Sequence, residues 1–254
     1  MKPQVVLVHG AWQGGWVWDS IVPQLAEAGI DALAVDLPGS APDVERRETV
    51  TFADRIDCLR QIVEGIEAPV YVVGHGGGGL AASQIAEVMP ERIAGLVYVA
   101  GMMLPDGMSF AQLAAACCDE EPSAAGVRPK LELSDGLSRV PPAAAIETFY
   151  HDCDPREAAA AAARLTPQSN AARDVAPRIT AERFGSVPRV YIETLKDRAI
   201  MPFVQRRMQV LVPGAVVRSL DTGHAPMLAD PEALADILLY SVSALRSMSR
   251  ERFG

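Results

Sequence analysis

The sequence lacks any apolar run long enough to cross a bilayer. Nowhere do 18 consecutive apolar residues occur, and Met1 is followed within four residues by the strand-like run QVVLVHG. A transmembrane helix needs about 20 apolar residues, and a signal peptide places an apolar stretch after a basic start. We therefore expect no membrane partner and a cytoplasmic location.

Positive charge is also scarce. The chain carries 23 Lys and Arg residues against 32 Asp and Glu residues, which gives a formal net charge of -9. Nucleic acids and anionic membranes attract proteins through basic surfaces, and no basic cluster offsets this acidic balance. We expect a small-molecule partner and no nucleic acid, and the sequence leaves the choice between a monomer and a homodimer open.

Cysteine is sparse and lacks the spacing of a metal site. Structural zinc sites need C-x-x-C pairs or Cys/His clusters, and isolated cysteines in a reducing compartment remain free thiols. Neither pattern accompanies the four cysteines, which are Cys58, Cys117, Cys118 and Cys153. We therefore expect no metal.

Short β-branched runs alternate with amphipathic helical stretches along most of the chain. Nearly continuous apolar strands are typical of a parallel sheet buried on both faces, and the alternation indicates a doubly wound α/β fold with a mainly parallel six-stranded sheet. Ligands of such sheets bind beyond the carboxyl ends of the strands. The predicted strands are 5–10, 31–39, 69–74, 93–101, 188–194 and 215–223, and the predicted helices are 17–28, 51–66, 79–89, 202–211 and 231–247.

The alternation stops near Met102 and resumes near Val187. The residues between them are rich in alanine and proline and include the helical pieces SFAQLAAA, PAAAIETFY and PREAAAAAARL, with no convincing strand. Alanine runs favour helix. We therefore predict a helical cap at 102–187, inserted into a core that is formed by 1–101 and 188–254.

A run of four glycines follows the third predicted strand, in VVGHGGGGL. Gly74, Gly76 and Gly79 satisfy the dinucleotide fingerprint G-x-G-x-x-G, whereas Gly74 and Gly78 satisfy the nucleophile elbow G-x-S-x-G with its serine missing. A dinucleotide site needs an acidic residue about 20 positions later, at the end of the next strand. That strand ends in VYVAGMM, without a carboxylate. We therefore expect no cofactor and favour the elbow.

The other parts of a serine-type acyl-transfer site are present. Such a site needs two backbone N–H donors for the oxyanion, one after the nucleophile and one from an early strand-to-helix loop, which predicts Gly77 and Ala11. It also needs an acid and then a histidine later in the chain. Asp197 in ETLKDRAIMP and His224 in LDTGHAPML each follow a predicted strand. We therefore predict that both lie on the same sheet edge as the glycine run.

Two rival acids are weaker candidates for orienting the histidine. Asp221 lies only three residues before it, and Glu193 lies within the fifth strand. We assign Trp12 and His75 to substrate binding, in a mainly apolar pocket between the sheet edge and the cap. Few charged residues are expected near the mouth of this pocket, which disfavours highly anionic substrates.

Several motifs together resemble one family. The stretches HGAWQGGWVWDSIVPQLAEAG, DLPG, GHGGGG, KDRAI and TGHAPML resemble the alpha/beta-hydrolase superfamily, and within it the group of plant methyl esterases, hydroxynitrile lyases and bacterial pyrethroid-hydrolase-like esterases. FYHDCDPREAA and ITAERFGSVPRVYIET look like the bacterial members. The resemblance covers nearly the whole chain. It implies a six-stranded parallel core, a helical lid over an apolar acyl pocket, and ester hydrolysis without a cofactor.

The sequence departs from this group at two positions. The lyase branch has a lysine directly after the catalytic histidine, and here that position is Ala225, which disfavours cyanohydrin cleavage. Gly76 stands where the serine-dependent relatives carry their nucleophile, and glycine offers no atom to attack a carbonyl.

Three explanations of this glycine stay open. The chain is an inactivated form of an esterase for a hydrophobic or aromatic ester or lactone. Alternatively, it is a natural serine-less enzyme in which His224, oriented by Asp197, acts as a general base for direct hydrolysis, elimination, cyclisation or carbon–carbon cleavage. Or it is a non-catalytic receptor that binds a small molecule in the lidded pocket.

Overall fold

The chain begins with the strand–helix alternation that the sequence predicts. The computed structural model describes residues 2–40 and 47–253. Its first part contains β1 (Gln4–Val8), α1 (Ile21–Glu27), β2 (Asp31–Val35), α2 (Phe52–Glu64), β3 (Val70–His75), α3 (Gly78–Val88) and β4 (Ile93–Val99).

The inserted segment, residues 102–187, follows β4 and contains both helices and short strands. Its elements are α4 (Phe110–Cys118), β5 (Glu132–Ser134), β6 (Leu137–Arg139), α5 (Pro142–Thr148), α6 (Pro155–Arg164), β7 (Gln168–Ser169) and α7 (Asn170–Arg173).

The expectation that the inserted segment has no strand is wrong. Its three strands form a small antiparallel sheet in the order β5-β6-β7. The turn between β5 and β6 is Asp135-Gly136, with φ angles of 52° and 76°. Asp-Gly with two positive φ angles is a preferred two-residue hairpin turn, so the short sequence LSDGLS carried the signal.

The last part of the chain completes the main sheet. It contains β8 (Arg189–Thr194), α8 (Pro202–Leu211), β9 (Ala215–Leu220), α9 (Pro226–Ala229) and α10 (Pro231–Phe253). The six-stranded sheet has the order β2-β1-β3-β4-β8-β9, and every neighbouring pair is parallel. The predicted fold class, a doubly wound parallel α/β sheet, is therefore confirmed.

Both faces of the sheet are covered because side chains alternate between them. Val5 and Leu7 of β1 belong to a core cluster with residues of α1 and α10, whereas Val6 and Val8 belong to a second cluster with residues of α2, α3 and α8. This period of two, with apolar residues at every position, is typical of a strand that is buried on both sides. No helix within the described residues combines the length and the apolar character needed to cross a membrane.

Local sequence signals fix where the longer helices begin. Thr51 and Asp54 form a capping box at the start of α2, in which each side chain accepts the other residue's backbone N–H. Ser109 and Gln112 repeat this arrangement at α4. Each box satisfies two backbone donors that a helix start leaves unpaired. The division of the chain into a core and a cap at 102–187 stays a prediction.

Candidate active site

The glycine run forms a tight turn between β3 and α3. Gly76, at its tip, has a φ of 49°, which favours glycine. A Cβ on Gly74 would lie 2.7 Å from the carbonyl oxygen of Gly78, and one on Gly78 would lie 2.6 Å from that of His9. A Cβ on Gly79 would lie 2.7 Å from the backbone nitrogen of Met102. The run therefore permits close backbone packing beneath its tip.

His224 and Asp197 form a buried hydrogen-bonded pair. Asp197 follows β8 and His224 follows β9, so both lie beyond the carboxyl ends of their strands. The His224 Nδ1 and the Asp197 Oδ2 are 2.8 Å apart, and the two residues are 6% and 1% exposed. Because the carboxylate accepts the proton of Nδ1, the Nε2 of a neutral His224 keeps its lone pair.

The carboxylate of Asp197 is held by four further donors. Its Oδ1 accepts the backbone N–H groups of Ala199, at 2.7 Å, and Ile200, at 2.9 Å. Its Oδ2 also accepts the hydroxyl of Thr194, at 3.0 Å, and the amide of Gln205, at 3.1 Å. A buried carboxylate with this many donors is fixed in position and stays compensated without a cation.

The two rival acids point to other partners. Asp221 is exposed and pairs with the ammonium of Lys196 at 2.8 Å. Glu193 accepts from the guanidinium of Arg206 at 3.1 Å and from the hydroxyl of Ser219 at 2.9 Å. The acid bonded to His224 is therefore neither of them.

The imidazole of His224 faces the tip of the turn. A Cβ built on Gly76 would lie 3.2 Å from the His224 Nε2 and 3.5 Å from its Cε1. A side chain at position 76 would therefore stand directly against the basic nitrogen. The phenyl ring of Phe149, from the inserted segment, also packs against the imidazole, with ring centroids 5.4 Å apart.

Two backbone amides flank the tip. Ala11 follows β1 and Gly77 is the N-cap of α3, and a Cβ on Gly77 would lie 3.5 Å from the Ala11 nitrogen. Neither amide meets an acceptor in the part of the chain that the structure describes. The partial positive charge at the start of α3 adds to the attraction of both amides for an anion.

Trp12 lines the cavity above this tip and is anchored to the inserted segment. Its backbone N–H donates to the side chain of Gln168 at 2.8 Å, and its indole N–H donates to the carbonyl oxygen of Ser138 at 3.1 Å. Its ring stacks on Phe149 with centroids 6.0 Å apart. These contacts hold Trp12 at a φ of 63°, which is uncommon for a bulky residue.

His75 does not lie where the sequence predicts. Its ring is fully buried outside the cavity, with Nε2 at 2.8 Å from the carbonyl oxygen of His224 and Nδ1 at 3.0 Å from the side-chain oxygen of Gln13. The His75 ring therefore contacts the backbone of His224, and it is not among the residues that line the cavity. Burial, and next the neighbouring His224, hold the pKa of His75 well below its usual range.

The cavity wall is mainly apolar, but it is not free of charge. Two cations of the inserted segment, Arg128 and Arg173, line it, contrary to the expectation of few charged residues near its mouth. The sequence did not predict them, because they lie in a three-residue 3₁₀ turn and a four-residue helix. Neither element has a residue pattern that marks a binding site. Apolar neighbours in the wall are Met102, Phe110, Val127, Leu131, Phe149 and Ile200.

The cavity is narrow in this structure and has room for about two water molecules. Within residues 2–40 and 47–253, no group of three His, Cys, Asp or Glu side chains is arranged to hold a metal ion.

Comparisons with known proteins find relatives that align with nearly the whole chain. Salicylic acid-binding protein 2 of Nicotiana tabacum is 31% identical, over 92% of this chain and 95% of that protein. Putative methylesterase 14, chloroplastic, of Arabidopsis thaliana is 30% identical over 92% and 70%. The pyrethroid hydrolase of Sphingobium wenxiniae is 30% identical over 92% and 85%.

A solved structure has the same fold. The crystal structure of polyneuridine aldehyde esterase superposes with a TM-score of 0.85 at 24% identity, over 95% of this chain and all of that one. The model of the Alpha/beta hydrolase family matches residues 5–237. This match spans both parts of the main sheet, the turn at Gly76 and the loops of Asp197 and His224, and the chain therefore belongs to the alpha/beta hydrolase family.

Proposed function

We propose that this protein has the site of a carboxylic-ester hydrolase for a hydrophobic or aromatic ester or lactone, with Gly76 at the nucleophile position. The observation that carries the proposal is the 3.2 Å between the His224 Nε2 and the place of a Cβ at residue 76. Relatives named as methylesterases and as a pyrethroid hydrolase support the reaction class.

Each part of the site has a task in this proposal. The amides of Ala11 and Gly77 bind the oxygen that becomes negative when the carbonyl is attacked. Asp197 fixes the His224 tautomer and orientation, and the apolar wall receives the acyl group. The covalent route is closed because position 76 offers no oxygen or sulfur atom.

The test is to supply that atom with Gly76→Ser. We expect the serine variant to hydrolyse p-nitrophenyl butanoate at least about 100-fold faster than the glycine form, with a burst of p-nitrophenolate. Gly76→Ala is the matched control, because it has the same backbone strain and the same Cβ without the hydroxyl. A serine variant that folds but shows neither burst nor rate gain over Gly76→Ala contradicts the proposal.

A second candidate function is general-base chemistry by the glycine form itself. The intact pair of His224 and Asp197 favours it, because the hydrogen bond from Nδ1 to the carboxylate leaves Nε2 as the ring atom that can accept a proton. In this candidate, His224 takes a proton from water or from an acidic carbon of a bound carbonyl compound. The products are those of direct hydrolysis, elimination, cyclisation or carbon–carbon cleavage.

Hydrogen–deuterium exchange separates this second candidate from a receptor. In D₂O, the unchanged protein is expected to speed exchange at the acidic carbon of a bound ketone or lactone, and His224→Ala is expected to lower that rate about 100-fold or more. Binding to both proteins with no exchange in either would favour the receptor. The cytoplasmic location and the small-molecule partner stay part of this proposal, and the choice between a monomer and a homodimer stays open.

A further inference from the structure

The wall of the cavity carries more positive charge than ester hydrolysis requires. Arg128 begins a 3₁₀ turn and Arg173 ends α7, so two separate elements of the inserted segment bring their guanidinium groups to one cavity. Both residues are partly buried. In the described part of the chain, neither takes part in an ion pair.

The guanidinium of Arg173 has few partners of its own. One terminal nitrogen donates to the side-chain oxygen of Asn170 at 3.3 Å, and its central carbon lies 5.4 Å from the ring centroid of Trp12. Its Nε is buried and has no hydrogen-bond partner. A buried, unpaired donor on a charged group is costly, and an anion that accepts from it removes that cost.

The electrostatic surroundings point the same way. Burial lowers the pKa of Arg173, the carboxylate of Asp174 raises it, and the charge of Arg128 lowers it again. The two arginines therefore repel each other. A carboxylate between them would be attracted by both, and its planar pair of oxygens matches the fork of a guanidinium.

Arg173 lines two adjoining cavities. One of them is also lined by His224, and both are lined by Ala11 and Gly77. An anion on the guanidinium would therefore place the rest of its molecule beside the oxyanion amides. The remaining wall is apolar, which suits an aliphatic or aromatic body.

We infer that Arg173, assisted by Arg128, binds a carboxylate, and that the ligand of this site is an apolar monocarboxylate with a second carbonyl group. This inference rests on the proposed function in placing that second carbonyl at Ala11 and Gly77. A half-ester of a dicarboxylic acid fits the hydrolase, and an oxo acid fits the general-base candidate. The carboxylate sets which compounds bind, and the chemistry takes place at the other carbonyl.

The experiment compares acids with their neutral amides by isothermal titration calorimetry. The probes are phenylacetate against phenylacetamide and hexanoate against hexanamide. We expect the unchanged protein to bind each acid at least about tenfold more tightly than its amide, because a hydrogen-bonded charge pair contributes more than a neutral contact. Equal affinities would overturn the inference without any variant being needed.

Variants then assign the preference to the arginine pair. Arg173→Gln is expected to abolish the preference for acids, Arg173→Lys to retain part of it, and Arg128→Gln to reduce it. Arg164→Gln is the matched control, because Arg164 lies over Trp16 in the same segment but outside this cavity. An acid preference that survives in Arg173→Gln would overturn the inference.

Failure of this inference and failure of the proposed function are distinguishable. The calorimetry uses the glycine form and measures no turnover, whereas the burst of Gly76→Ser on a neutral aryl ester needs no carboxylate. A burst without a preference for acids would support the hydrolase site and contradict the carboxylate-binding inference. A preference for acids without a burst would support carboxylate binding and contradict the hydrolase site.

Discussion

At the scale of single residues, Gly76 and Gly77 are neighbours with different constraints. Gly76 has a φ of 49°, and its missing Cβ would lie 3.2 Å from a ring nitrogen of His224. Gly77 has a φ of -61°, which any residue adopts, and its missing Cβ would meet nothing closer than 3.5 Å. The conformation at the tip therefore favours glycine, and that of the next residue does not.

This difference predicts opposite effects on stability. Gly76→Ala is expected to lower the free energy of unfolding by about 1–2 kcal/mol, because a left-handed backbone brings Cβ too close to a carbonyl oxygen. Gly77→Ala is expected to be neutral or to raise it by about 0.5 kcal/mol, because alanine reduces the freedom of the unfolded chain. Urea unfolding followed by circular dichroism measures both. Similar losses in the two variants would show that crowding, and not the φ angle, governs the turn.

The same strain bears on the serine variant. Gly76→Ser places a β-carbon in the left-handed region, so we expect it to lose about as much stability as Gly76→Ala. A gain in ester hydrolysis would then accompany a loss of stability, as is common at strained functional sites.

At the scale of secondary structure elements, periodicity predicts most of the main sheet. The predicted strand at 69–74 corresponds to β3 (Val70–His75), and the predicted helix at 202–211 corresponds to α8 (Pro202–Leu211). Apolar alternation and helical spacing are local properties, so the sequence reports them directly. The pairing of His224 with Asp197 was predicted from two signals: parallel strands bring their carboxyl ends to one edge, and KDRAI and TGHAPML resemble the family.

The inserted segment was harder to predict because its elements are short. β5 and β6 have three residues each, too few to show a period of two, and only the Asp135-Gly136 turn indicates a hairpin. The position of Arg173 depends on how α7 packs over Trp12, which no local pattern contains. The position of His75 was mispredicted for a similar reason, because the orientation of its ring depends on Gln13 and on the His224 backbone.

At the scale of the whole molecule, two buried histidines join separate parts of the main sheet. His9, after β1, donates from Nδ1 to the carbonyl oxygen of Gly10 at 2.8 Å, and its Nε2 accepts the N–H of Leu37 at 3.2 Å. The hydroxyl of Ser40 lies 3.0 Å from the same Nε2. The neutral ring thus provides a hydrogen-bond acceptor for the residues that follow β2. His75, at the end of β3, contacts the loop after β9.

Protonation of His9 would place a hydrogen on Nε2 against the N–H of Leu37. Burial lowers the pKa of His9 to about 4, whereas an unperturbed histidine has a pKa of about 6.5. Between these values the unfolded chain binds more protons than the folded one, so the free energy of unfolding falls as the pH falls. The lowered pKa of His75 acts in the same direction.

The last prediction is therefore that acid destabilises the whole fold through these histidines. Stability is expected to be fully present above about pH 6.5, and the His9 contribution, about 3 kcal/mol, is expected to be lost progressively towards about pH 4. Urea unfolding at several pH values measures the slope. His9→Gln is expected to be less stable at neutral pH but to show a slope reduced by about one proton between about pH 4 and 6.5, since His75 and the carboxylates still titrate. An unchanged slope in His9→Gln would mean that His9 accepts a proton in the folded protein, with Leu37 or Ser40 moving to admit it.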